Sequence, residues 1–390
     1  MKGWQMTAFV AIALTIWGLF NAYIGIRLVV PARLSGYASI SAWSLLVFSW
    51  LVFPGVFFLR WYRPGFPGEH PLELAAYVVF GLVTILLPLL LVRDLGWFAA
   101  WAIRLLPAEP ARGEWLKVTG STALILAVAM FLGGLAEYMR GPLVEVVDLP
   151  VKNLARGLEG YRIVQLTDLH IGVTARAPRI ARITAQAMAL KPDLIVLTGD
   201  MADGTAGDLR ADAAPLKLLK ARDGKLFVTG NHEYFYDYRG WMAELPRMGF
   251  RVLMNSHIRI RRGNGVLAVG GVPDTQTSPR FTPKQASDPA EAMRGIPEEA
   301  VKILLSHQPH DAAAAAAAGF DFQLSGHTHG GQYFPWNLVI PRMDNARPGF
   351  HKIGDMLLYV SRGTGAWGPP IRLGVPGEIT LFRLKGVRGS

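Results

Sequence analysis

The sequence predicts an α/β catalytic domain, built as a sandwich of two sheets with outer helices, behind an all-α four-helix transmembrane region. Three observations predict it. Residues 1–140 are dominated by apolar runs long enough to cross a bilayer, whereas residues 150–390 have the mixed composition of a globular enzyme. In that second part, short β-branched runs alternate with helical segments, which is the pattern of an α/β domain. Carboxylates, imidazoles and one amide recur just after those runs, at Asp168-Leu169-His170, Gly199-Asp200, Gly230-Asn231-His232-Glu233, Ser306-His307 and Gly326-His327-Thr328-His329.

At 390 residues, 51% of them hydrophobic, the chain has room for two or three domains. It contains no cysteine, so disulfides and thiolate metal sites are excluded while the compartment stays open. The formal charge is +11, with basic clusters at Arg259, Arg261 and Arg262 and at Arg383, Lys385 and Arg388. In a chain with membrane segments, anionic lipid headgroups explain that charge most economically. No RNA-binding aromatic signature or zinc-finger spacing points to nucleic acid, and none is expected as a partner.

A hydrocarbon core of roughly 30 Å needs about 20 apolar helical residues. Residues 7–26, 39–59, 74–92 and 118–136 meet this requirement. The first run lacks a small-x-small cleavage site and is followed by further spans, so it reads as an uncleaved helix. Residues 95–106 carry Trp97, Phe98 and Trp101 with Arg93, Asp94 and Arg104 alongside, and read as a short interfacial helix; the alternative is a long third helix. Residues 141–160 read as a linker and 161–390 as the catalytic domain. Lys and Arg near the span ends number six on each side, so the positive-inside rule leaves orientation open. No central carboxylate or histidine marks an ion path, which favours anchoring over transport.

The catalytic elements follow in order. Residues 162–167 form a strand ending in Asp168 and His170, and a helix runs from Pro178, a favoured first-turn residue, to Leu190. Residues 194–198 form the next strand, ending in Asp200, and a helix over 209–221 leads to the strand at 226–229, which ends in Asn231 and His232. Residues 302–305 end in His307, and an alanine-rich helix over 312–318 leads to the strand at 322–324, before His327 and His329. In open α/β sheets, ligands sit beyond the carboxyl ends of the strands, where all five clusters fall. Residues 267–269 and 357–360, with no helices between them, suggest a second and more antiparallel sheet.

Carboxylate, imidazole and amide oxygen together suit hard or borderline divalent ions, and paired ions can activate water for attack on phosphorus. Other polar residues have plainer readings. His257, His310 and His351 are surface, packing or helix-start residues, and Asp203 and Asp208 solvate a loop, with Asp203 close enough to support the Asp200 turn. Glu233 orients its neighbours rather than binding metal.

These motifs, in this order, resemble the calcineurin-like metallophosphoesterase superfamily over roughly residues 160–385. The resemblance implies an α/β/β/α sandwich and a metal-dependent phosphoesterase with two divalent ions, manganese first, with iron, zinc or magnesium as alternatives. It implies that Asp168, His170, Asp200 and His329 hold one ion and Asp200, Asn231, His307 and His327 the other, with Asp200 bridging. It makes His232, with Asn231 and Asp200, catalytic, His232 contacting a phosphoryl oxygen or protonating the leaving group. The run Gly326–Gln332 and the Gly363-Thr364-Gly365 turn are similar to a membrane-associated bacterial branch that includes one type of UDP-2,3-diacylglucosamine pyrophosphatase. That branch implies the bacterial cytoplasmic membrane, and the four predicted spans, which depart from its members with a single anchor, imply a multi-pass protein there.

The apolar stretch Tyr333–Ile340 reads either as strand and core or as a loop that dips into the bilayer or lines an acyl-chain groove. On the second reading Trp336, Leu338, Ile340 and Trp367 contact substrate. The expectation is therefore a membrane-anchored phosphoesterase acting on a phosphodiester or pyrophosphate bond, in a lipid or lipid precursor such as UDP-diacylglucosamine. The alternatives are a tethered general phosphodiesterase or nuclease, and a transporter or sensor with a regulatory metal domain.

Overall fold

A computed structural model describes residues 3–62, 68–103, 111–274, 286–343 and 347–387. The chain divides into two compact units, one of residues 1–136 with 368–373 and one of residues 137–367 with 374–390.

Among the described residues of the first unit, four helices are long and apolar enough to cross a membrane: Val10–Ala32, Gly36–Arg60, Glu69–Ala102 and Gly113–Arg140. They belong to α1 (Gly3–Ile24, continued by a π-turn over Gly25–Val29), α2 (Gly36–Tyr62), α3 (Glu69–Ala102) and α4 (Ala111–Arg140). Their apolar side chains point outward as well as inward, with Ile12, Leu19, Leu45, Val92 and Ile125 exposed, as a lipid-facing surface requires. Inside, the Trp17 indole donates to the Ser49 carbonyl at 2.8 Å and stacks on Phe80. Charges on these helices are paired, Arg27 with Asp94 at 2.7 Å and Arg60 with Glu69 at 2.9 Å. The segment Gly368–Leu373 packs with these helices: the buried Arg372 donates its N–H to the Gly134 carbonyl at 2.9 Å. Residues 95–102 are not a separate interfacial helix. They continue α3 without a break because the ion pairs of Arg93 and Asp94 neutralise the charges that predicted a stop; residues 104–106 lie outside the described residues.

The second unit holds two six-stranded sheets among the described residues. The first sheet contains β1 (Leu143–Lys152), β2 (Arg162–Leu166), β3 (Leu194–Thr198), β4 (Lys225–Val228), β5 (Phe250–Val252) and β12 (Glu378–Val387), in the order β1-β12-β2-β3-β4-β5. The second contains β6 (Ser256–Arg262), β7 (Gly265–Gly271), β8 (Val301–Leu305), β9 (Phe322–Ser325), β10 (Gly349–Ile353) and β11 (Met356–Val360), in the order β10-β11-β9-β8-β7-β6.

Strand periodicity builds the layers. Successive residues face opposite sides of a sheet, so Ile163 and Val196 join Leu267, Ile303 and Leu324 in a core between the sheets. Their neighbours Val164, Ile195 and Leu197 face outward onto α5 (Ala177–Ala189), α6 (Ala206–Ala213) and, after the short α7 (Asn231–Phe235), α8 (Tyr238–Arg247), through Ile180, Leu209 and Trp241. Leu304 and Leu358 do the same on the far side, against α9 (Pro289–Met293) and α10 (Ala312–Ala318). The result is the expected α/β/β/α sandwich.

Three details differ from the sequence reading. The linker over 141–160 contains β1, which pairs in parallel with β12 along its whole length, so the sandwich begins before residue 161. The helix expected over 209–221 is α6 followed by a 3-10 turn over Ala214–Leu218, because Pro215 cannot continue the α ladder. The second sheet has two antiparallel pairings against one in the first, but its centre, β7-β8-β9-β11, is parallel.

Candidate metal centre

Parallel strands bring the clusters together. β2, β3 and β4 are parallel neighbours, as are β8 and β9, so their carboxyl ends lie along one edge. Asp168, His170, Asp200, Asn231, His307 and His329 are all buried there, His327 is half-buried, and His232 is buried beside them. The turns are strained: Asp168, His170, Asp200, His327 and His329 all have positive φ, between 46° and 72°. Non-glycine residues avoid that region, and such strain gathers where packing over-determines a functional geometry. Two glycines make room. A Cβ on Gly230 would lie 2.2 Å from Asp200 Oδ1, and one on Gly326 2.2 Å from Asp168 Oδ2.

The donor atoms converge in a way that fits cations. Among the described residues, three sets each lie within 4.8 Å: Asp168, His170 and His329; His170, Asp200 and His232; and Asp200, His307 and His327. His170 Nδ1 faces the Asp203 carboxylate at 2.8 Å, so it carries the proton and Nε2 presents a lone pair, 3.0 Å from His329 Nε2. His307 Nδ1 donates to the Thr198 carbonyl at 2.8 Å. Its Nε2 therefore points a lone pair at Asn231 Oδ1 (3.2 Å), Asp200 Oδ2 (3.2 Å) and His327 Nδ1 (3.1 Å). Acceptors facing acceptors at this range repel unless a proton or a cation stands between them.

The electrostatics agree. Burial disfavours charge on His307, yet Asp200 and Asp168 hold its pKa well above the usual imidazole value, so a proton and a cation compete for one place. Burial and the neighbouring His307 charge push His327 down to about 3, leaving it neutral. Burial works against ionised Asp200, but His232 and His307 hold its carboxyl well below the ordinary range.

Supporting contacts fix the donors. Asp203 Oδ1 receives Nδ1 of both His170 (2.8 Å) and His232 (2.7 Å). Burial opposes charge on His232, but Asp200 and Asp203 outweigh it and push its pKa up to about 9. Glu233 acts through backbone contacts. Its carboxylate accepts the N–H groups of Gly230 (2.6 Å), Asp200 (3.1 Å) and Met201 (2.8 Å), tying the β3 and β4 turns together. Burial, with the Asp200 charge adding to it, raises its pKa to about 7. Thr364 and Gly365 donate their N–H groups to the carbonyls of Thr167 (2.8 Å) and Asp168 (2.9 Å), bracing the first ligand turn.

Trp367 stands edge-on to His232, with ring centroids 6.3 Å apart. Trp336, Leu338 and Ile340 lie on α11 (Trp336–Met343), a helix and neither strand nor loop. It follows the 3-10 turn His329–Gly331, its Leu338, Val339 and Met343 exposed and Trp336 and Ile340 half-buried. A short apolar run fits helix or strand equally, and here Tyr333 anchors the first turn by accepting the Asn337 N–H at 3.0 Å. The basic clusters are partly neutralised, Arg262 by Asp223 and Arg383 and Lys385 by Asp148.

Sequence reasoning passed over two contributors, Phe235 and Tyr236, and gave Asp203 no more than support of the Asp200 turn. Asp203 stands three residues after Asp200, a spacing that places it on the same turn. Phe235 and Tyr236 border His232 and are its near neighbours in the sequence.

Fold and site together define a metal-dependent phosphoesterase domain. The chain belongs to the calcineurin-like phosphoesterase family, whose model matches residues 161–331. It is 36% identical over 270 residues to a transmembrane protein with metallophosphoesterase domain from Danio rerio, covering 67% of this chain and 62% of that protein. The protein of the same description from Bos taurus is 32% identical over 331 residues, covering 80% of this chain and 74% of the relative. An uncharacterized metallophosphoesterase from Aquifex aeolicus is 32% identical, covering 62% of this chain and 92% of the relative. Among solved structures, a 5′-nucleotidase precursor from Thermus thermophilus is similar at a TM-score of 0.39 and 17% identity, covering 57% of this chain and 55% of that one. The four apolar helices and the transmembrane relatives make this a membrane protein.

Proposed function

We propose that the protein is a membrane-anchored, dinuclear-metal phosphoesterase that hydrolyses a phosphodiester or pyrophosphate bond in a lipid or lipid precursor, UDP-diacylglucosamine being one such molecule. The observation that carries the reaction class is the convergence of seven donors, Asp168, His170, Asp200, Asn231, His307, His327 and His329, with His232 beside them. Asp168, His170, Asp200 and His329 would hold one divalent ion, and Asp200, Asn231, His307 and His327 the other. Bound there, divalent ions (manganese first) supply Lewis-acid polarisation of the phosphoryl oxygens and an activated water.

The chain's own groups do the rest. His232, kept protonated by Asp203 and Asp200, gives its Nε2 proton to the leaving oxygen as the bond to phosphorus breaks. Asn231 and Asp200 fix the phosphate-side geometry, and Glu233 keeps their two turns in register. The lipid reading is supported by four apolar helices in the same chain and by exposed Leu338, Val339, Met343 and Trp367 near the His327–His329 turn. The bacterial cytoplasmic membrane is the proposed location.

The test is product analysis of the full-length protein in detergent with Mn²⁺, against phospholipids, UDP-diacylglucosamine, nucleotides and bis(p-nitrophenyl) phosphate. The full chain is needed because Gly368–Leu373 pack with the helices. Preferred turnover of lipid esters is expected. Turnover confined to soluble diesters or nucleic acid would replace the lipid reading with a tethered general phosphodiesterase.

A further inference from the structure

Aromatic side chains border the outer face of His232. The Trp367 ring meets it edge-on at 6.3 Å, and the Phe235 and Tyr236 rings lie 5.6 and 5.8 Å away. Phe235 is 58% exposed and Trp367 43%, although both are large and apolar. Around a centre that is otherwise polar, exposed rings gathered on one group mark a surface that something apolar covers.

Trp367 is also held where it stands. Gln332, 6% exposed, grips its backbone with both ends of its amide: Nε2 donates to the Trp367 carbonyl at 3.0 Å, and the Trp367 N–H donates to Oε1 at 2.9 Å. Gln332 adopts φ 59°, a conformation that a residue with a side chain takes only where its surroundings enforce it. It stands three residues after His329, so the turn that carries a metal donor also fixes the backbone from which the indole projects.

We propose that Trp367 and Phe235 form the subsite for an apolar leaving group, and that Gln332 is the positioning residue that holds Trp367 against His232. This rests on the phosphoesterase reading in which the leaving oxygen lies against His232. An oxygen within hydrogen-bond reach of His232 Nε2 places its first carbons beside whatever borders the imidazole. That border is mostly ring carbon. A sugar or nucleotide leaving group brings several hydroxyls to it, and against them the three rings carry two polar groups, the Trp367 indole N–H and the Tyr236 hydroxyl. An alkyl or acyl-bearing alcohol instead covers the rings and gains by leaving water.

The probe is a series of n-alkylphosphonates from methyl to hexyl, short enough to stay out of detergent micelles. Their P–C bond occupies the place of the bond to the leaving oxygen. Binding to the full-length, Mn²⁺-loaded protein is measured by calorimetry. For the wild type we expect Kd to fall about twofold per added methylene, short of the about fourfold of complete burial. Trp367→Ala should flatten that dependence, its loss of affinity growing from methyl- to hexylphosphonate, and Trp367→Phe should retain most of it. Gln332→Met, which keeps the volume and loses both amide contacts, should give an intermediate slope.

A wild type with no chain-length dependence overturns the subsite, and so does a Trp367→Ala slope equal to wild type. Equal losses for methyl- and hexylphosphonate in Trp367→Ala overturn it as well, because they show a general role in holding the site. Each of these results leaves the phosphoesterase reading standing as long as the wild type still turns over esters. Failure of phosphonate binding and of ester turnover together removes both.

Discussion

The Asp203 carboxylate and the His232 imidazole share a hydrogen bond of 2.7 Å, and the same Oδ1 atom takes Nδ1 of His170 at 2.8 Å. One oxygen thus sets the tautomer of a metal donor and holds the charge of the proposed acid. Asp203→Asn keeps the shape and removes the charge. Losing such support costs about 10–100-fold in metal affinity or activity, so we predict a fall of that size in kcat/KM together with weaker Mn²⁺ binding. Steady-state kinetics and a metal titration on one preparation check it; unchanged values in both would refute the shared role.

His232 separates from the donors in a different experiment. His232→Gln should lower kcat by about 10²–10⁴-fold for esters with alcohol leaving groups, the range for losing a general acid. The loss should shrink for p-nitrophenol, which leaves without a proton. Metal content, read by elemental analysis, should stay at the wild-type level. An equal loss for both leaving groups would assign His232 to binding rather than to proton transfer.

Glu233 acts on stability. Its carboxylate accepts three backbone N–H groups from two turns. Glu233→Gln turns an amide N–H₂ toward donors, and a buried unsatisfied polar group costs about 1–3 kcal/mol. Thermal melts should show a lower Tm with metal present and absent alike. A Tm that falls only in the presence of metal would instead make Glu233 part of the binding set.

Gly230→Ala tests how tightly the cradle is built. The new Cβ would lie 2.2 Å from Asp200 Oδ1 and would displace it. Gly207→Ala is the control: in α6 its Cβ meets only Thr205 Oγ1, at 3.5 Å. We predict loss of metal binding in the first, and in the second no loss, with a gain in helix propensity of up to about 1 kcal/mol. Retained Mn²⁺ affinity in Gly230→Ala would show that the Asp200 turn can shift without consequence.

Much of this architecture is written in local patterns. Leu194–Thr198 and Val301–Leu305 are short apolar runs ending in turn residues, and their donors follow at once, so strand, edge and ligand are read together. β1 escaped because it is an edge strand paired with one neighbour from the far end of the chain; its burial is confined to Val147 and Leu149. The continuity of α3 depends on Arg27 reaching Asp94 from another helix, a contact no local pattern encodes. Gln332 and Trp367 are 35 residues apart, and nothing in either neighbourhood announces their paired hydrogen bonds. Asp203 was legible as support for the Asp200 turn from its spacing, but its contacts to His170 and His232 join three separate strand ends and no spacing announces them.

The most direct test compares full-length wild type with Asp200→Asn, counting metal ions per chain and hydrolysis of bis(p-nitrophenyl) phosphate on the same sample. Asp200 lies in two of the three donor sets, and the account makes it the shared ligand. We predict about two divalent ions per chain in the wild type, hydrolysis that a chelator abolishes and Mn²⁺ restores, and loss of both binding and turnover in Asp200→Asn. Hydrolysis that survives the chelator, or Asp200→Asn turning over at the wild-type rate, would contradict it.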